Sequence, residues 1–416
     1  MRRVVVTGIG AITPIGNNVS EFWQSLRDNI TGVGAITRFD ASDSPCRVAA
    51  EVKNFDVTKY FDRRDIQRSA LFSQYAMIAA DEAWKNSGLN DFTELNRDNV
   101  NVLLGNGIGG LEIDVESQQK LFEKGMSRIP AMTIPRMLIN EAPANVSMHL
   151  GLRGASHSVV TACASGTDVI GFAMDSIRSG RSDVVLTGGC EGALNVYGIG
   201  GFCSLKALST NFNDTPERAS RPFDKDRDGF VMGEGAGILI LEELEFAKRR
   251  GAKILAEIVG YGATADAYHI TSPDPAGDGA ARAIRCALND ARLAEKEIDY
   301  INAHGTSTQT NDPVETKAIK KVFGDYAYKL KVSSIKGAVG HCLGAAGAIE
   351  AVACVKTVGD GFIPATLNLD EPDPLCDLNY VPHKGITQPV KTAMSLSLGF
   401  GGHNAVIIVK RYDESV

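Results

Sequence analysis

Short apolar runs alternate with longer amphipathic stretches along the whole chain, and the alternation occurs twice. Residues 2–7 read as a strand that ends in a tight turn at Gly8-Ile9-Gly10. The spacing predicts a helix over 20–29 and a long one over 65–87, stopped by Gly88. Residues 100–104 form a second strand, running into the glycine-rich 105–110, and the Pro-containing stretch 130–143 reads as an insertion. Residues 157–160 are a short strand, with Val159 and Val160 suited to a buried place. A turn of small residues follows, then a helix with Val169, Phe172, Ala173, Met174 and Ile177 at helical spacing. Residues 183–187 and 237–241 are further apolar strands, separated by a long polar loop over 206–235.

From about residue 253 the order restarts. Residues 254–262 echo 4–10, the helix over 279–292 echoes 76–89, and 298–302 run into His304-Gly305 as 100–104 run into Gly105. Residues 331–334 lead into a small-residue segment, as 157–160 do, and the chain closes with strands over 393–398 and 405–409 around a glycine-rich turn. The expectation is an α/β protein of two homologous halves, 1–252 and 253–416, packed into one body with equivalent strand ends facing one another.

Composition narrows the class. With 44% hydrophobic and 22% charged residues, the 416-residue chain is ordinary for a globular enzyme. A net charge of -7 argues against nucleic acid as the main partner. No apolar run approaches a membrane span, and the first residues, MRRVVVTGIGAITPIG, make a poor signal peptide. Eight scattered cysteines without a Cys-x-x-Cys pair suit free thiols in a reducing, cytoplasmic setting.

Gly8-x-Gly10 lacks the third glycine of a dinucleotide fingerprint, since position 13 is Thr, so a nicotinamide oxidoreductase has little support. The run Asp224-Lys-Asp226-Arg-Asp228-Gly229 imitates a calcium loop but has Gly235 where the bidentate acid belongs, and reads as a charged, hydrogen-bonded loop. Cys163 sits where a strand gives way to a helix. Unpaired N–H groups and the helix dipole there should lower its thiol pKa, although a structural cysteine would fit the same place. Two halves packed face to face would bring Cys163 together with His304 and His341, with Lys336 and Glu350 close by. One cysteine and two histidines leave three readings open. A zinc site lacks closely paired ligands, and a Cys–His peptidase lacks an evident orienting acid or amide. Acyl transfer to Cys163 followed by carbon–carbon bond formation uses both histidines, as hydrogen-bond donors to an enolate. Arg63, Arg64 and Arg68 form a basic cluster that is either a solvated face or a dock for an acidic partner.

Five motifs, in order, resemble those of β-ketoacyl-acyl-carrier-protein synthases of the elongating, type II group. They are VVTACASGTD around Cys163, RPFDKDRDGFVMGEGAG over 221–237, NAHGTSTQTND over 302–312, SSIKGAVGHCLGAAGAIE over 333–350 and GFGGHN over 399–404. The resemblance spans essentially the whole chain and implies a thiolase-like fold, with duplicated αβαβα halves in a five-layer body. It implies that Cys163 carries the acyl chain as a thioester, with its own N–H and that of Phe400 as the oxyanion hole. His304 and His341 would stabilise the enolate formed from malonyl-carrier protein, and Lys336 and Glu350 would be their supporting pair. Thr306 and Thr308 match the hydroxyls that hold the phosphopantetheine arm, Ile108 and Phe400 line and gate the acyl pocket, and Arg63, Arg64 and Arg68 match the carrier-docking region. No metal or separate cofactor is implied, the partner is acyl carrier protein, and a homodimer is expected.

The resemblance also leaves room. Leu396 and Leu398 stand where the family motif has Asn and Phe, and Ala338-Val339 where a Met or Ser followed by Thr is common. Gating and acyl preference are therefore open, and a ketosynthase of a specialised polyketide pathway is an alternative. A non-catalytic partner subunit of a condensing heterodimer is disfavoured by Cys163 and both histidines. His149, His157, His269, His383 and His403 are expected in surface or structural roles, Asp312 and Glu315 as structural acids, and Cys342 as a packing residue.

Overall fold

The computed structural model describes residues 2–414. Ten strands form one hydrogen-bonded sheet: β1 (Val4–Ile12), β2 (Val100–Gly105), β3 (Ser156–Val159), β4 (Val184–Glu191), β5 (Gly235–Glu243), β6 (Ala256–Ala265), β7 (Tyr300–Asn302), β8 (Lys331–Ser333), β9 (Thr392–Gly399) and β10 (His403–Lys410). From one edge their order is β8-β7-β9-β10-β6-β1-β5-β4-β2-β3. Outward from the β6–β1 seam, the first half reads 1-5-4-2-3 and the second 6-10-9-7-8, which is the same order with five added to each label. Strand directions agree as well. β1 and β6 pair antiparallel with β5 and β10, and β2 and β7 pair parallel with β4 and β9. The repeat read from the sequence is therefore a repeat of topology.

The helices used here are α1 (Val19–Arg27), α2 (Arg63–Arg68), α3 (Leu71–Ser87), α4 (Glu141–Leu150), α5 (Ser165–Arg178), α6 (Val196–Ser204), α7 (Asp278–Ala291), α8 (Asn311–Phe323) and α9 (Ala346–Asp360). Helix α5 of the first half and α9 of the second touch each other, and each packs on strands of both halves. Both are rich in small apolar residues. Val169, Ile170, Ala173 and Met174 of α5 share one buried cluster with Ala348, Val352, Val355 and Val358 of α9. Helix α3 covers the first half's outer face with Tyr75, Ala76, Ala79 and Ala83, and α7 with α8 covers the second half's. The result is five layers, with α5 and α9 in the middle, so the strand ends of both halves open onto the starts of these two central helices.

Four expectations are corrected. Gly8 and Gly10 are not a turn, because β1 runs through them to Ile12. A Cβ on either would lie about 2 Å from a carbonyl oxygen of α3, at 2.1 Å from Ala83 O and 1.9 Å from Ala79 O. These glycines let the helix lie directly on the strand. The long helix over 65–87 is broken, since Ser69 and Ala70 are extended between α2 and α3. Asp62 caps α2 by accepting from Asp65 N–H at 2.9 Å. Thirdly, β3 is an edge strand, and Val160 is 50% exposed. Finally, β4 runs past the expected strand end at residue 187 and continues through Gly188 and Gly189 to Glu191.

Candidate active site

The turn that carries Cys163 is built by local hydrogen bonds. Ala162 adopts φ +50, an uncommon left-handed conformation for a residue with a Cβ. The Ser165 hydroxyl accepts from Thr161 N–H at 2.9 Å and donates to Ala162 O at 2.6 Å. Ala164 N–H and Ser165 N–H are bonded back to Thr161 O and Ala162 O. Gly399 lies against this turn, and a Cβ there would be 3.3 Å from Cys163 N and 2.7 Å from Thr161 O. The close approach brings the loop after β9 onto the backbone of Cys163.

The thiol does not behave as its place beside a helix suggested. Burial pushes Cys163 up to about 11; the Lys336 charge and the N–H of Phe400 pull it down, Glu191 pushes it up, and its own N–H pulls it down. The helix contributes little because α5 starts at Ser165, with Ala164 as its cap, and the N–H groups of Ala164 and Ser165 are already occupied. The N–H groups that still pull the thiol down come one from each half, from Cys163 and from Phe400.

The two histidines come from equivalent loops. His304 follows β7, where Glu315 of α8 accepts from His304 N–H at 2.6 Å and from Gly305 N–H at 2.8 Å. Glu315 is thus a structural acid holding the turn; burial raises it to about 7 against those donors. His341 precedes α9, and its backbone is held by Val231 O at 2.7 Å and by Gly233 N–H at 2.9 Å. The imidazoles meet edge to face, with centroids 5.2 Å apart and planes at 88°. Burial, and then the Lys336 charge, hold both well below the ordinary histidine range; for His304 the neighbouring His341 adds to this. Both rings are therefore neutral near pH 7. The Nδ1 of each is buried without a partner in the protein, which leaves Nε2 as the nitrogen able to meet a ligand. Lys336 is fully buried and ion-paired with Glu350 of α9. Burial raises Glu350 to about 7, opposed by that pairing.

Cys163, His304, His341, Phe400, Ile108, Thr306 and Thr308 all line one cavity of about 460 Å³. Its apolar wall includes Phe202 of α6, Phe230, Leu343 and Leu398. Phe202 packs on Phe230 and Phe400, with centroids 5.3 Å and 6.4 Å away, and Phe230 meets the edge of His341 at 5.3 Å. The hydroxyls of Thr306 and Thr308 lie 3.0 Å apart. The backbone of Thr308 is held by Arg227 of the charged loop, which is itself paired with Asp373 at 2.7 Å. Arg63, Arg64 and Arg68 are exposed on α2 and do not line the cavity. Cys342 is buried and donates to Glu234 O, a packing role. The sequence pointed to neither Phe202 nor Glu191. Glu191, at the end of β4, accepts from Gly107 N–H beside Ile108 and from Gly344 N–H beside Leu343, each at 3.0 Å. An acid closing a run of buried apolar residues and glycines was the signal available for it.

Comparison with known proteins agrees with this architecture. The profile described as “Beta-ketoacyl synthase, N-terminal domain” matches residues 1–247, and “Beta-ketoacyl synthase, C-terminal domain” matches 255–370. The chain belongs to the β-ketoacyl synthase family. Among curated relatives it is 50% identical over 411 residues to “3-oxoacyl-[acyl-carrier-protein] synthase 2” of Synechocystis sp., covering 99% of this chain and 98% of the relative. It is 48% identical to the protein of the same description in Coxiella burnetii, covering 99% of each. A β-ketoacyl synthase structure from Burkholderia phymatum superposes with a TM-score of 0.91 at 35% identity, over 99% of this chain and 100% of that one. The fold is the thiolase-like fold of the family. Among the described residues no helix is long and apolar enough to cross a membrane.

Proposed function

We propose that the protein is an elongating β-ketoacyl-[acyl-carrier-protein] synthase whose chemistry runs through Cys163, His304 and His341. The observation that carries this reading is the meeting, in one apolar cavity, of a cysteine sulfur faced by two N–H groups with two neutral imidazoles. The Cys163 sulfur attacks the thioester carbonyl of an acyl-carrier protein, and its proton passes to the departing carrier sulfur. The negative charge on the carbonyl oxygen is met by the N–H of Cys163 and of Phe400, and the carrier thiol leaves. Malonyl-carrier protein then loses carbon dioxide, and the enolate oxygen accepts hydrogen bonds from His304 and His341. The enolate carbon attacks the acyl-Cys163 carbonyl, the sulfur leaves, and a 3-oxoacyl-carrier protein two carbons longer is released. Neutral histidines suit this role, because a neutral imidazole still carries one N–H to donate to the enolate oxygen. Burial keeps them neutral, and the charge of Lys336 adds to it.

The rest of the reading concerns partners. The apolar wall from Ile108 to Phe400 takes the acyl chain, and Thr306 with Thr308 holds the phosphopantetheine arm. Arg63, Arg64 and Arg68 on α2 receive the acidic carrier protein. No further cofactor takes part, and the protein acts in the cytoplasm as two thiolase-like halves, 1–252 and 253–416. A second copy pairs along the open edge of β3, making a homodimer; that edge has no strand beyond it among the described residues. One solved relative (TM-score 0.89, 34% identity) is described as a type II PKS acyl-carrier protein in complex with its ketosynthase, which supports the carrier as partner.

The test is direct. Protein incubated with acyl-carrier proteins of several chain lengths and malonyl-carrier protein should release 3-oxoacyl products, followed by mass. Cys163→Ala should abolish them. Cys163→Gln should still decarboxylate malonyl-carrier protein without condensing. Condensation that survives Cys163→Ala unchanged would sink the mechanism.

A further inference from the structure

The nucleophile turn is tied to the second half by a carboxylate that the chemistry above does not use. Asp168, three residues into α5 from its first residue, is only 5% exposed. Its Oδ2 accepts from the Thr161 hydroxyl at 2.6 Å, and its Oδ1 accepts from the Tyr261 hydroxyl at 2.7 Å. Thr161 opens the turn that carries Ala162 in its left-handed conformation and then Cys163. Tyr261 lies on β6 of the other half. Room for its ring is built into α5, since a Cβ at Gly171, three residues after Asp168, would lie 2.4 Å from it. Phe172 closes the other side, edge to face at 6.1 Å.

We infer that Asp168, braced by Tyr261, is a positioning residue: it holds Thr161 so that Cys163 N–H stays aimed into the oxyanion hole. The argument is geometric. A left-handed, non-glycine residue persists only where its surroundings over-determine it. Ser165 fixes the Thr161 N–H and Ala162 O, and Ala164 N–H holds Thr161 O, all from within the same turn; the Thr161 side chain ties that turn to the other half, and Asp168 holds it. The other oxyanion donor, Phe400 N–H, follows β9 in the second half. The register between the two donors therefore depends on a link between halves, and the Tyr261–Asp168–Thr161 chain of hydrogen bonds is one. The histidine pair is held by different groups, Glu315 and the Val231–Gly233 backbone. Loss of Asp168 should therefore damage acyl transfer and spare decarboxylation.

This inference rests on the condensation reading, and the experiment separates the two. Acyl transfer to Cys163 is followed in single turnovers by intact-protein mass, with malonyl-carrier decarboxylation followed in the Cys163→Gln background. Asp168→Ala should slow acyl transfer by about tenfold or more, with little change in KM for acyl-carrier protein. Asp168→Ala combined with Cys163→Gln should decarboxylate as fast as Cys163→Gln alone. Asp168→Asn, whose amide can still accept from one hydroxyl and donate to the other, should recover most of the rate. Tyr261→Phe should fall between them, and both of these variants keep the test usable if Asp168→Ala does not fold. Acyl transfer at the wild-type rate in all three variants would overturn the inference. So would equal loss of acyl transfer and decarboxylation. Absence of acyl transfer in the wild-type protein would instead overturn the condensation reading itself.

Discussion

Replacing Gly399 by alanine tests whether the oxyanion hole depends on the contact between the β9 loop and the nucleophile turn. The added methyl would lie 2.7 Å from Thr161 O, 3.2 Å from Ala164 N and 3.3 Å from Cys163 N. Carbon contacts relax near 3.5 Å, so the two backbones must part by about 0.5–1 Å. None of those three atoms belongs to a flexible side chain. The pieces that separate are the ones bearing the two N–H donors, of Cys163 on one side and Phe400 on the other. Outright loss of one oxyanion donor costs roughly 10²–10³ in rate, or about 2.7–4 kcal/mol. A displacement below 1 Å leaves weakened donors in place, so the expected fall in acyl transfer is about 10- to 100-fold. The assay is pre-steady-state acylation of Cys163 by acyl-carrier protein, read by intact mass. Alkylation of the sulfur by iodoacetamide needs no oxyanion hole and serves as the internal control. It should stay within about threefold of wild type. Acylation that is unchanged in Gly399→Ala would refute the reasoning. A parallel collapse of alkylation would do so as well, by showing that the cavity as a whole had closed.

Further outcomes follow from the buried charges and the surface cluster. Glu350→Gln leaves the Lys336 ammonium buried without its carboxylate, and should cost about 3–5 kcal/mol in denaturant unfolding; a loss under about 1 kcal/mol would mean that the pair is not buried as described. Because His304 and His341 lie well below the ordinary histidine range, both are neutral above it. Decarboxylation by the Cys163→Gln protein should therefore be flat from about pH 6.5 to 8. For stability the same lowering has a sign: the unfolded histidines take up protons first, so stability falls as pH drops through about 6.5. A rate inflection near pH 7 that disappears in His304→Ala would contradict this assignment. Reversing Arg63, Arg64 and Arg68 to Glu should raise KM for carrier-protein substrates, most at low salt, and leave turnover of a pantetheine-linked acyl substrate unchanged. Equal KM values at low salt would remove α2 from the docking surface.

Much of this was legible in the sequence because period and order survive duplication. The strand-to-helix segment around Cys163 and the segment after 331–334 sit at equivalent places, and the fold brings their ends together as the repeat implied. What sequence missed has physical causes. Glycines at 8 and 10 looked like a turn, yet their lack of side chains serves contact with α3, which local pattern cannot reveal. Ser69 and Ala70 interrupt a helix whose pattern continues across them. The exposure of β3 reflects its place at the sheet's edge, a property of topology rather than of composition. The thiol was misjudged because proximity to a helix start is visible in sequence, whereas burial and prior use of the N–H groups are not. Glu191 joins two glycine backbones from different halves, and neither glycine announces an acid as its partner.

The departures at Leu396 and Leu398 become intelligible through the alternation of β9. Side chains two apart share a face of a strand. Leu396 and Leu398 face the outer side, where Leu396 is 1% exposed among Ile284, Ile319 and Phe323 of α7 and α8. Ser397 faces the central layer and meets the Thr167 hydroxyl of α5 at 2.8 Å. Gly399 continues that inner face against the nucleophile turn. An amide at 396 would need a polar partner within an apolar cluster, and leucine removes that need. The face that carries the chemistry is untouched by either change. Leu398 alone reaches the cavity, on the wall beside Phe400. The departures therefore bear on the shape of the cavity wall beside Phe400. Whether the enzyme serves ordinary fatty-acid elongation or a specialised acyl pathway is a question about that wall and not about Cys163. Leu398→Phe is the substitution that asks it, with product chain length as the readout. Added ring volume should shift the distribution toward shorter acyl substrates at an unchanged rate of malonyl decarboxylation in the Cys163→Gln background. An unaltered distribution would place the selecting wall elsewhere, at Ile108 and Phe202.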